Sequence, residues 1–278
     1  MWLIDMAYRR ILTIQDISCA GQCSMTVALP VLSACGHEVC ILPSAILSTH
    51  TGGFKNPAVK NLTDNMASIR EHWKNENIFF DIVYTGYLGS IKAIEETLAV
   101  IDTLLVPDGL VVVDPAMADH GKLYKGLDDD YAAAMNCLCK RADVILPNIT
   151  EAAMITGATY RQTLDEAYVR EILMGMPDKT VLLTGVGFVP DETGFALKIG
   201  EEIHFSHHRR IDRNFHGTGD LFAAAFVGAL ASGKTELEAA EIASSFTLES
   251  ICNTYEQPAH WYGVKFEPAL LNLIRMIK

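Results

Sequence analysis

The residues best suited to chemistry lie in the segment "HGTGDLFAAAF", residues 216–226. Two glycines flank Thr218, Asp220 follows at once, and an apolar run typical of a buried helix comes next. Free backbone N–H groups at a helix start bind anions, and glycine lets a ligand approach the backbone closely. Asp220 therefore has two interpretations: it caps the helix, or it accepts a proton beside a bound phosphate.

The helix after Asp220 favours the second interpretation. Residues 221–227 are all apolar, so the start of this helix is expected inside the protein. A serine or threonine would cap such a helix at a lower desolvation cost than an aspartate. By contrast, Thr235 and Glu238 in "TELE" predict an ordinary capping box without a further function.

Short apolar strands alternate with helical segments along most of the chain. "GLVVVDP" reaches Asp114, "ADVILPN" reaches Asn148 and "KTVLLTG" reaches Thr184. This alternation predicts a parallel sheet covered by helices on both faces, with ligands bound beyond the carboxyl ends of the strands. We therefore expect an α/β fold whose site includes these three polar residues.

Other segments complete the predicted organisation. Residues 57–74 are interpreted as a helix, and "GFALKIG" with "EEIHFSHH" as a hairpin that turns at Gly200 and Glu201. We find no internal repeat, low-complexity segment or long linker, so we expect one domain over residues 1–278.

Composition excludes several classes of function. The 278 residues carry a formal net charge of -12, which argues against a general nucleic-acid binder. The longest apolar run, residues 222–231, is shorter than the roughly 20 residues of a membrane span, and no signal-peptide pattern is present. The seven cysteines form no CxxC pair, and no GxxxxGK[ST] motif occurs, so neither a structural zinc site nor a P-loop is expected. We expect a soluble cytoplasmic protein without membrane or nucleic-acid partners.

Six segments, in order, resemble the motifs of one protein family. Together they make the chain similar to the ribokinase-like superfamily and, within it, to the vitamin B6 kinases. The segments are "TIQD" (13–16) with Gly21, "STHTGG" (48–53), "GYLGS" (86–90), "DPAMADHGKLY" (114–124), "PNITE" (147–151) and "HGTGD" (216–220).

The resemblance implies a three-layer α/β/α fold with a mostly parallel central sheet, and a homodimer. It also implies transfer of the ATP γ-phosphoryl group to a hydroxymethyl group on a small heteroaromatic ring. Asp220 would accept the hydroxyl proton, and the backbone N–H groups of Gly217, Thr218 and Gly219 would stabilise charge on the phosphoryl group.

The nucleotide side of the implied site comprises four residues. The resemblance assigns Asp114, Asn148, Glu151 and Thr184 to ATP. Asn148 and Glu151 would also organise Mg²⁺, largely through water, since this ion dehydrates reluctantly. A monovalent cation such as K⁺ is a further expectation from the family.

The ring side of the implied site comprises Asp16, Thr51, Gly52, Tyr87 and Tyr124. At Asp16 the chain departs from the B6 kinases, which commonly carry serine, and is similar to the hydroxymethylpyrimidine kinases of thiamin synthesis. An aspartate only accepts hydrogen bonds when ionised, whereas serine also donates them.

Tyr124 belongs, with Asp119 and Gly121, to a loop that would close over the site. Ala118 replaces a glycine that is usual in this loop, which stiffens the loop if glycine's backbone freedom matters there.

Three functions follow from these observations. The first is a B6 vitamer kinase, the second a hydroxymethylpyrimidine or hydroxymethylpyrimidine phosphate kinase. The third, a non-catalytic ligand-binding protein, is disfavoured because Asp220, Glu151 and the glycines are all present.

Overall fold

The structure, a computed structural model, describes residues 8–176, 178–213 and 215–278. The strands are β1 Arg10–Ser18, β2 Glu38–Leu47, β3 Val59–Asn61, β4 Phe80–Thr85, β5 Leu105–Val113, β6 Ala118–Asp119, β7 Lys122–Leu123, β8 Val144–Ile145, β9 Thr180–Thr184, β10 Glu192–Ile199 and β11 Glu202–Arg209. Nine of them form one sheet in the order β11-β10-β9-β8-β5-β4-β1-β2-β3, and β6 pairs with β7 separately. The strands from β9 to β2 are parallel, while β3, β10 and β11 are antiparallel to their neighbours.

Helices follow most of the parallel strands. They are α1 Met25–Ala34, α2 Thr63–Asn75, α3 Ile91–Leu104, α4 Asp129–Arg141, α5 Ile149–Thr156, α6 Glu166–Met174, α7 Thr218–Ala231, α8 Glu236–Tyr255 and α9 Leu270–Ile277, with a 3-10 turn at Glu267–Ala269. None of the helices in the described part of the chain combines the length and apolar character that crossing a membrane requires.

The sheet is buried on both faces because successive side chains of a strand point in opposite directions. In β1, Leu12 packs into an apolar cluster formed with α2 to α6, whereas Ile11 packs into a second cluster with α1, α7, α8 and α9. The expected three-layer α/β/α fold with a mostly parallel central sheet is therefore confirmed.

One predicted element is wrong in part. The helix expected over residues 57–74 starts only at Thr63, because residues 59–61 pair with the edge of β2 as strand β3. The Asn61 side chain then accepts the backbone N–H of Thr63 at 2.7 Å, which turns the chain into α2. The hairpin of β10 and β11 is confirmed, with Ile199 paired to Glu202 across the turn.

Candidate active site

Polar residues gather at the carboxyl ends of the parallel strands. The backbone N–H of Asp114 donates to Thr85 at the end of β4, at 3.0 Å. Thr184 donates its N–H to the carbonyl of Pro147 at 3.0 Å and forms a parallel bridge with Asn148. The structure thus places the three predicted strand-end residues along one edge of the sheet.

The first turn of α7 lies open at this edge. Gly217 begins the helix with φ 73°, and a Cβ there would stand only 1.9 Å from the carbonyl oxygen of Gln22. Gly219 is different, since a Cβ at this position would meet nothing within 4 Å. The free space beside Gly219, next to unpaired N–H groups of a first helical turn, suits close approach of an anion.

Asp220 does not act as a cap. Its Oδ2 atom accepts the backbone N–H of Ser24 at 2.9 Å, and among the described residues no hydrogen bond joins its side chain to the first turn of α7. Burial raises the pKa of Asp220 to about 6; the Ser24 N–H opposes this shift and the charge of Asp16 adds to it. The carboxylate is therefore held by another helix start and ionises near neutral pH.

Ser24 carries unusual backbone geometry. Its φ of 54° and ψ of -129° fall in a region that residues other than glycine rarely adopt, at a cost of roughly 1–3 kcal/mol. Strain of this kind persists where surrounding contacts impose it, and such positions cluster at functional sites.

Asp114 and Glu151 make the site strongly acidic. Burial raises the pKa of Asp114 well above its ordinary value, and the charges of Glu151 and Asp220 raise it further. Burial also raises the pKa of Glu151 to about 7, against the effect of hydrogen bonds from backbone N–H groups. Each of these shifts indicates a site that gains from a bound cation.

Asn148 and Glu151 form a capping box at the start of α5. The Asn148 Oδ1 atom accepts the N–H groups of Thr150 and Glu151 at 2.8 and 3.0 Å, and Glu151 accepts the N–H of Asn148 at 2.9 Å. The other Glu151 oxygen accepts the N–H groups of Met117 and Ala118 at 3.0 and 3.3 Å. This motif therefore also fixes the chain that enters the predicted lid.

The predicted lid is the small hairpin of β6 and β7. The Gly121 N–H, at a residue with φ 76°, donates to Thr150 Oγ1 at 3.0 Å, and Tyr124 N–H donates to the Met117 carbonyl at 2.8 Å. Ala118 is buried, and its carbonyl accepts the Asn148 side-chain amide at 2.7 Å. Its φ is not positive, so the backbone freedom of glycine is not needed there.

Asp16 lies buried at the end of β1. Its Oδ2 atom accepts the Ser18 hydroxyl at 3.0 Å. Burial raises the pKa of Asp16, while hydrogen bonds from the Ser24 and Ser18 hydroxyls lower it. Burial also raises the pKa of Tyr87, and the charge of Asp16 adds to that shift, so the phenol lies within electrostatic range of the carboxylate. Two of the predicted ring-side residues therefore interact electrostatically.

The loop with Thr51 and Gly52 is held by a histidine. The backbone N–H of Gly52 donates to His50 Nδ1 at 3.1 Å, and His50 Nε2 donates to the Tyr262 carbonyl at 2.8 Å. A Cβ at Gly52 would stand 2.6 Å from the His216 ring, so this loop packs directly against the start of the "HGTGD" segment. Thr51 itself is exposed.

An aromatic cluster near this loop escaped the sequence analysis. The Phe54 ring lies 5.0 Å from that of His50 and 4.6 Å from that of Trp261, and His50 lies 4.9 Å from His216. Trp261 also packs over Gly53, where a Cβ would approach its ring to 2.7 Å. Aromatic residues are common, and nothing in the local sequence links residue 261 to residue 54.

No metal cage is apparent. Within residues 8–176, 178–213 and 215–278, no group of three His, Cys, Asp or Glu side chains is arranged to hold an ion by itself. The acidic residues fit a hydrated ion that is held chiefly by a phosphorylated ligand and only through water by the protein.

Comparisons with known proteins agree with this geometry. The sequence profile of the phosphomethylpyrimidine kinase family matches residues 40–264. The chain is 31% identical to the hydroxymethylpyrimidine/phosphomethylpyrimidine kinase of Bacillus subtilis over 182 residues, 64% of this chain and 66% of that enzyme. It is 30% identical to the pyridoxal kinase of Arabidopsis thaliana over 237 residues, 79% of this chain and 73% of that enzyme.

A solved structure extends the agreement to the fold. The pyridoxal kinase of Lactobacillus plantarum superposes with a TM-score of 0.90 at 33% identity, covering 96% of this chain and 97% of that chain. The chain is therefore a kinase that belongs to the phosphomethylpyrimidine kinase family, within the ribokinase-like superfamily.

Proposed function

We propose that the protein transfers the γ-phosphoryl group of ATP to the 5'-hydroxymethyl group of pyridoxal, pyridoxine or pyridoxamine. The observation that carries this proposal is the arrangement at the start of α7. There a carboxylate, held by Ser24 from outside its own helix, stands one residue from the open backbone at Gly219. Such a pair serves a reaction in which a proton leaves a hydroxyl group as that oxygen attacks a phosphoryl group.

Asp220 is the proposed base. A base must be ionised to accept a proton, and a pKa of about 6 leaves most of Asp220 ionised at neutral pH. The N–H groups of Gly217, Thr218 and Gly219 would stabilise the charge that spreads over the transferring phosphoryl oxygens.

The acidic residues beyond the sheet would hold the nucleotide side. Asp114, Asn148, Glu151 and Thr184 lie at or beside the strand ends where the ATP phosphates are expected. Bound Mg²⁺ neutralises phosphate charge and orients the groups that react. The polar atoms of Asn148 and Glu151 already have backbone partners, which favours contact with the ion through water over direct coordination.

Asp16, Thr51, Gly52, Tyr87 and Tyr124 would line the ring side. Asp16 and Tyr87, which interact electrostatically, would offer a hydrogen-bond acceptor and an aromatic face to a heteroaromatic ring. The carboxylate of Asp16 would accept a hydrogen bond from a ring hydroxyl or a protonated ring nitrogen. Burial and the nearby carboxylates Glu151 and Asp114 raise the pKa of Tyr124, which keeps its phenol neutral.

A hydroxymethylpyrimidine or its phosphate is the second candidate substrate. Asp16 favours it, because the chain has an aspartate where B6 kinases commonly have serine, and the Bacillus subtilis relative is named for this activity. The homodimer, the cytoplasmic location and the monovalent-ion requirement stay predictions.

An ADP-release assay with each B6 vitamer and with hydroxymethylpyrimidine tests the proposal. We expect turnover with a B6 vitamer to exceed turnover with the pyrimidine. The reverse ranking would transfer the proposal to the second substrate, and no turnover with either class would overturn both.

Asp220→Asn tests the proposed base. The amide still offers an oxygen to the Ser24 N–H but cannot take up the hydroxyl proton, so we expect turnover to fall by roughly 10²–10⁴ while nucleotide binding persists. Near-normal turnover in this variant would show that Asp220 is not the base.

A further inference from the structure

Ser24 occupies a helix start without capping the helix. It is the N-cap residue of α1, a position where serine usually accepts an N–H of the first turn, but its side chain makes no such bond. Its backbone carries the strained φ of 54°, and the residue is buried. Contacts outside α1 must therefore hold this conformation.

Those contacts join two carboxylates. The Ser24 N–H donates to Asp220 at 2.9 Å, and the Ser24 hydroxyl lies beside the Asp16 carboxylate and lowers its pKa. An antiparallel bridge to Ile17 fixes Ser24 beside β1. Asp16 also accepts the Ser18 hydroxyl at 3.0 Å, and among the described residues no hydrogen bond joins Ser18 to Asp220.

The residues before Ser24 support the same helix start. A Cβ at Gly217 would meet the Gln22 carbonyl oxygen at 1.9 Å and the Cys23 sulfur at 3.2 Å. Residues 22–24 therefore pack against the first turn of α7 at two places, the backbone of Gly217 and the carboxylate of Asp220.

We propose that Ser24 is a positioning residue that links the ring-side carboxylate Asp16 to the base Asp220. Its hydroxyl, anchored on Asp16, keeps the strained backbone in place, and that backbone aims its N–H at Asp220. The inference rests on the proposed function, because it takes Asp16 as the group that contacts the ring and Asp220 as the base.

Substituting alanine or glycine for Ser24 separates the role of its hydroxyl beside Asp16 from the role of its strained backbone. Ser24→Ala loses the anchor but keeps the strain, so the backbone relaxes and its N–H leaves Asp220. Ser24→Gly also loses the anchor, but glycine adopts a positive φ without strain, so the N–H stays on Asp220. A role in packing alone predicts the opposite order, since glycine adds backbone freedom and removes more atoms.

The charges around Asp220 define the expected pH response. The titratable groups that interact with it are Asp16, Asp114, Cys23, Tyr84 and Tyr124. Each of these groups is acidic and disfavours a further negative charge, whereas the hydrogen bond from the Ser24 N–H favours the ionised form of Asp220.

Steady-state kinetics of Ser24→Ala, Ser24→Gly and the matched control Ser18→Ala test the proposal. We expect all three to raise KM for the ring substrate, because each removes a hydroxyl from Asp16. Ser24→Ala alone should lower kcat roughly tenfold or more and move the acid limb of the pH profile up by about one unit. The proposal is overturned if Ser24→Gly loses at least as much kcat as Ser24→Ala, or if Ser24→Ala matches Ser18→Ala.

A second measurement does not depend on the substrate. NMR titration of ¹³C-labelled aspartate, with the Asp220 signal assigned by its loss in Asp220→Asn, reports the ionisation of Asp220 in the free protein. Its midpoint should rise in Ser24→Ala and stay in Ser24→Gly and Ser18→Ala; a midpoint that stays in Ser24→Ala overturns the proposal. Absence of turnover in the unaltered protein would instead count against the proposed function. If Ser24→Ala does not fold, Ser24→Gly against Ser18→Ala still decides, because a raised midpoint in Ser24→Gly contradicts the proposal and an unchanged one supports it.

Discussion

Helices α5 and α8 begin with the same local arrangement but lie in different surroundings. In α5 Asn148 and Glu151 exchange hydrogen bonds with each other's backbone N–H groups, and in α8 Thr235 and Glu238 do the same. Each pair satisfies N–H groups that the first helical turn leaves unpaired. For capping alone, "NITE" and "TELE" are equivalent.

The difference between the two boxes lies in burial and in additional partners. The Glu238 carboxylate accepts the backbone N–H and the hydroxyl of Thr235, and these two hydrogen bonds lower the pKa of Glu238. Glu151 is only 2% exposed and also accepts the N–H groups of Met117 and Ala118, so it connects α5 to the lid hairpin. One local motif thus caps a helix at the surface and, in the interior, also joins a helix to a neighbouring hairpin.

Asp220 extends the comparison to a third helix. Like Glu151 and Glu238, it is the third residue after the N-cap of its helix, but its carboxylate accepts the N–H of Ser24 on another element. The same sequence position therefore serves three purposes, and the tertiary surroundings decide which one.

Among the variants that compare the two capping boxes, Glu151→Gln should show the largest effect, with Glu238→Gln as its matched control. An amide has only one acceptor oxygen, so at least one buried N–H among those of Asn148, Met117 and Ala118 must face a donor. We expect the free energy of unfolding to fall by about 1–3 kcal/mol in Glu151→Gln and by less than about 0.5 kcal/mol in Glu238→Gln. Turnover should fall roughly tenfold or more only in Glu151→Gln, because the lid shifts.

Urea denaturation and the ADP-release assay measure these two changes. Similar losses of stability and turnover in both variants would mean that Asn148 and Glu151 only cap α5 and do not position the predicted lid.

The sequence was sufficient to predict one capping box and the polar residues at the strand ends. Asp114, Asn148 and Thr184 follow apolar strands, and the parallel topology then brings them to one edge. Thr235 and Glu238 were identified as a capping box from their spacing. The identical spacing of Asn148 and Glu151 was assigned to the nucleotide and Mg²⁺ through family resemblance, and its capping role emerged only from the backbone contacts.

An intermediate effect is expected in the pH dependence of turnover. The proposed base must be ionised, so kcat/KM should fall as pH drops below about 6, the pKa of Asp220. Asp16→Asn removes a negative charge that raises this pKa, so its acid limb should move to lower pH. An acid limb that moves upward in Asp16→Asn would contradict this electrostatic link.

The raised pKa of Asp220 should also make the free energy of unfolding depend on pH. The folded protein raises the pKa of Asp220 from its ordinary value of 3.8 to about 6, so between these pH values the native state binds more protons than the unfolded state. This contribution to the free energy of unfolding is complete below the lower value and is lost as pH rises through the upper one. Urea denaturation of Asp220→Asn should show a smaller decline over this window than the unaltered protein.

The ring side shows where sequence reasoning stopped. Asp16 was identified through the family resemblance, whereas nothing in the sequence singled out Ser24, which packs beside it. His50, His216 and Trp261 meet only because the fold brings three distant segments together. Their contacts depend on side-chain packing between loops, which neither periodicity nor a local motif records.

The smallest effect is expected from Thr150→Val, which tests whether Thr150 positions the predicted lid, with Thr235→Val as its matched control. Thr150→Val removes the hydroxyl that accepts the Gly121 N–H, and Thr235→Val removes the one that accepts the Glu238 N–H. Both should lower the free energy of unfolding by about 1 kcal/mol. Only Thr150→Val should raise KM severalfold, because Thr150, unlike Thr235, contacts the hairpin that is predicted to close over the site. KM and the unfolding curve are measured for both variants. Equal KM values would show that the contact between Thr150 and Gly121 does not position the predicted lid. In that case the capping box of α5 would act on the proposed site through Glu151 alone.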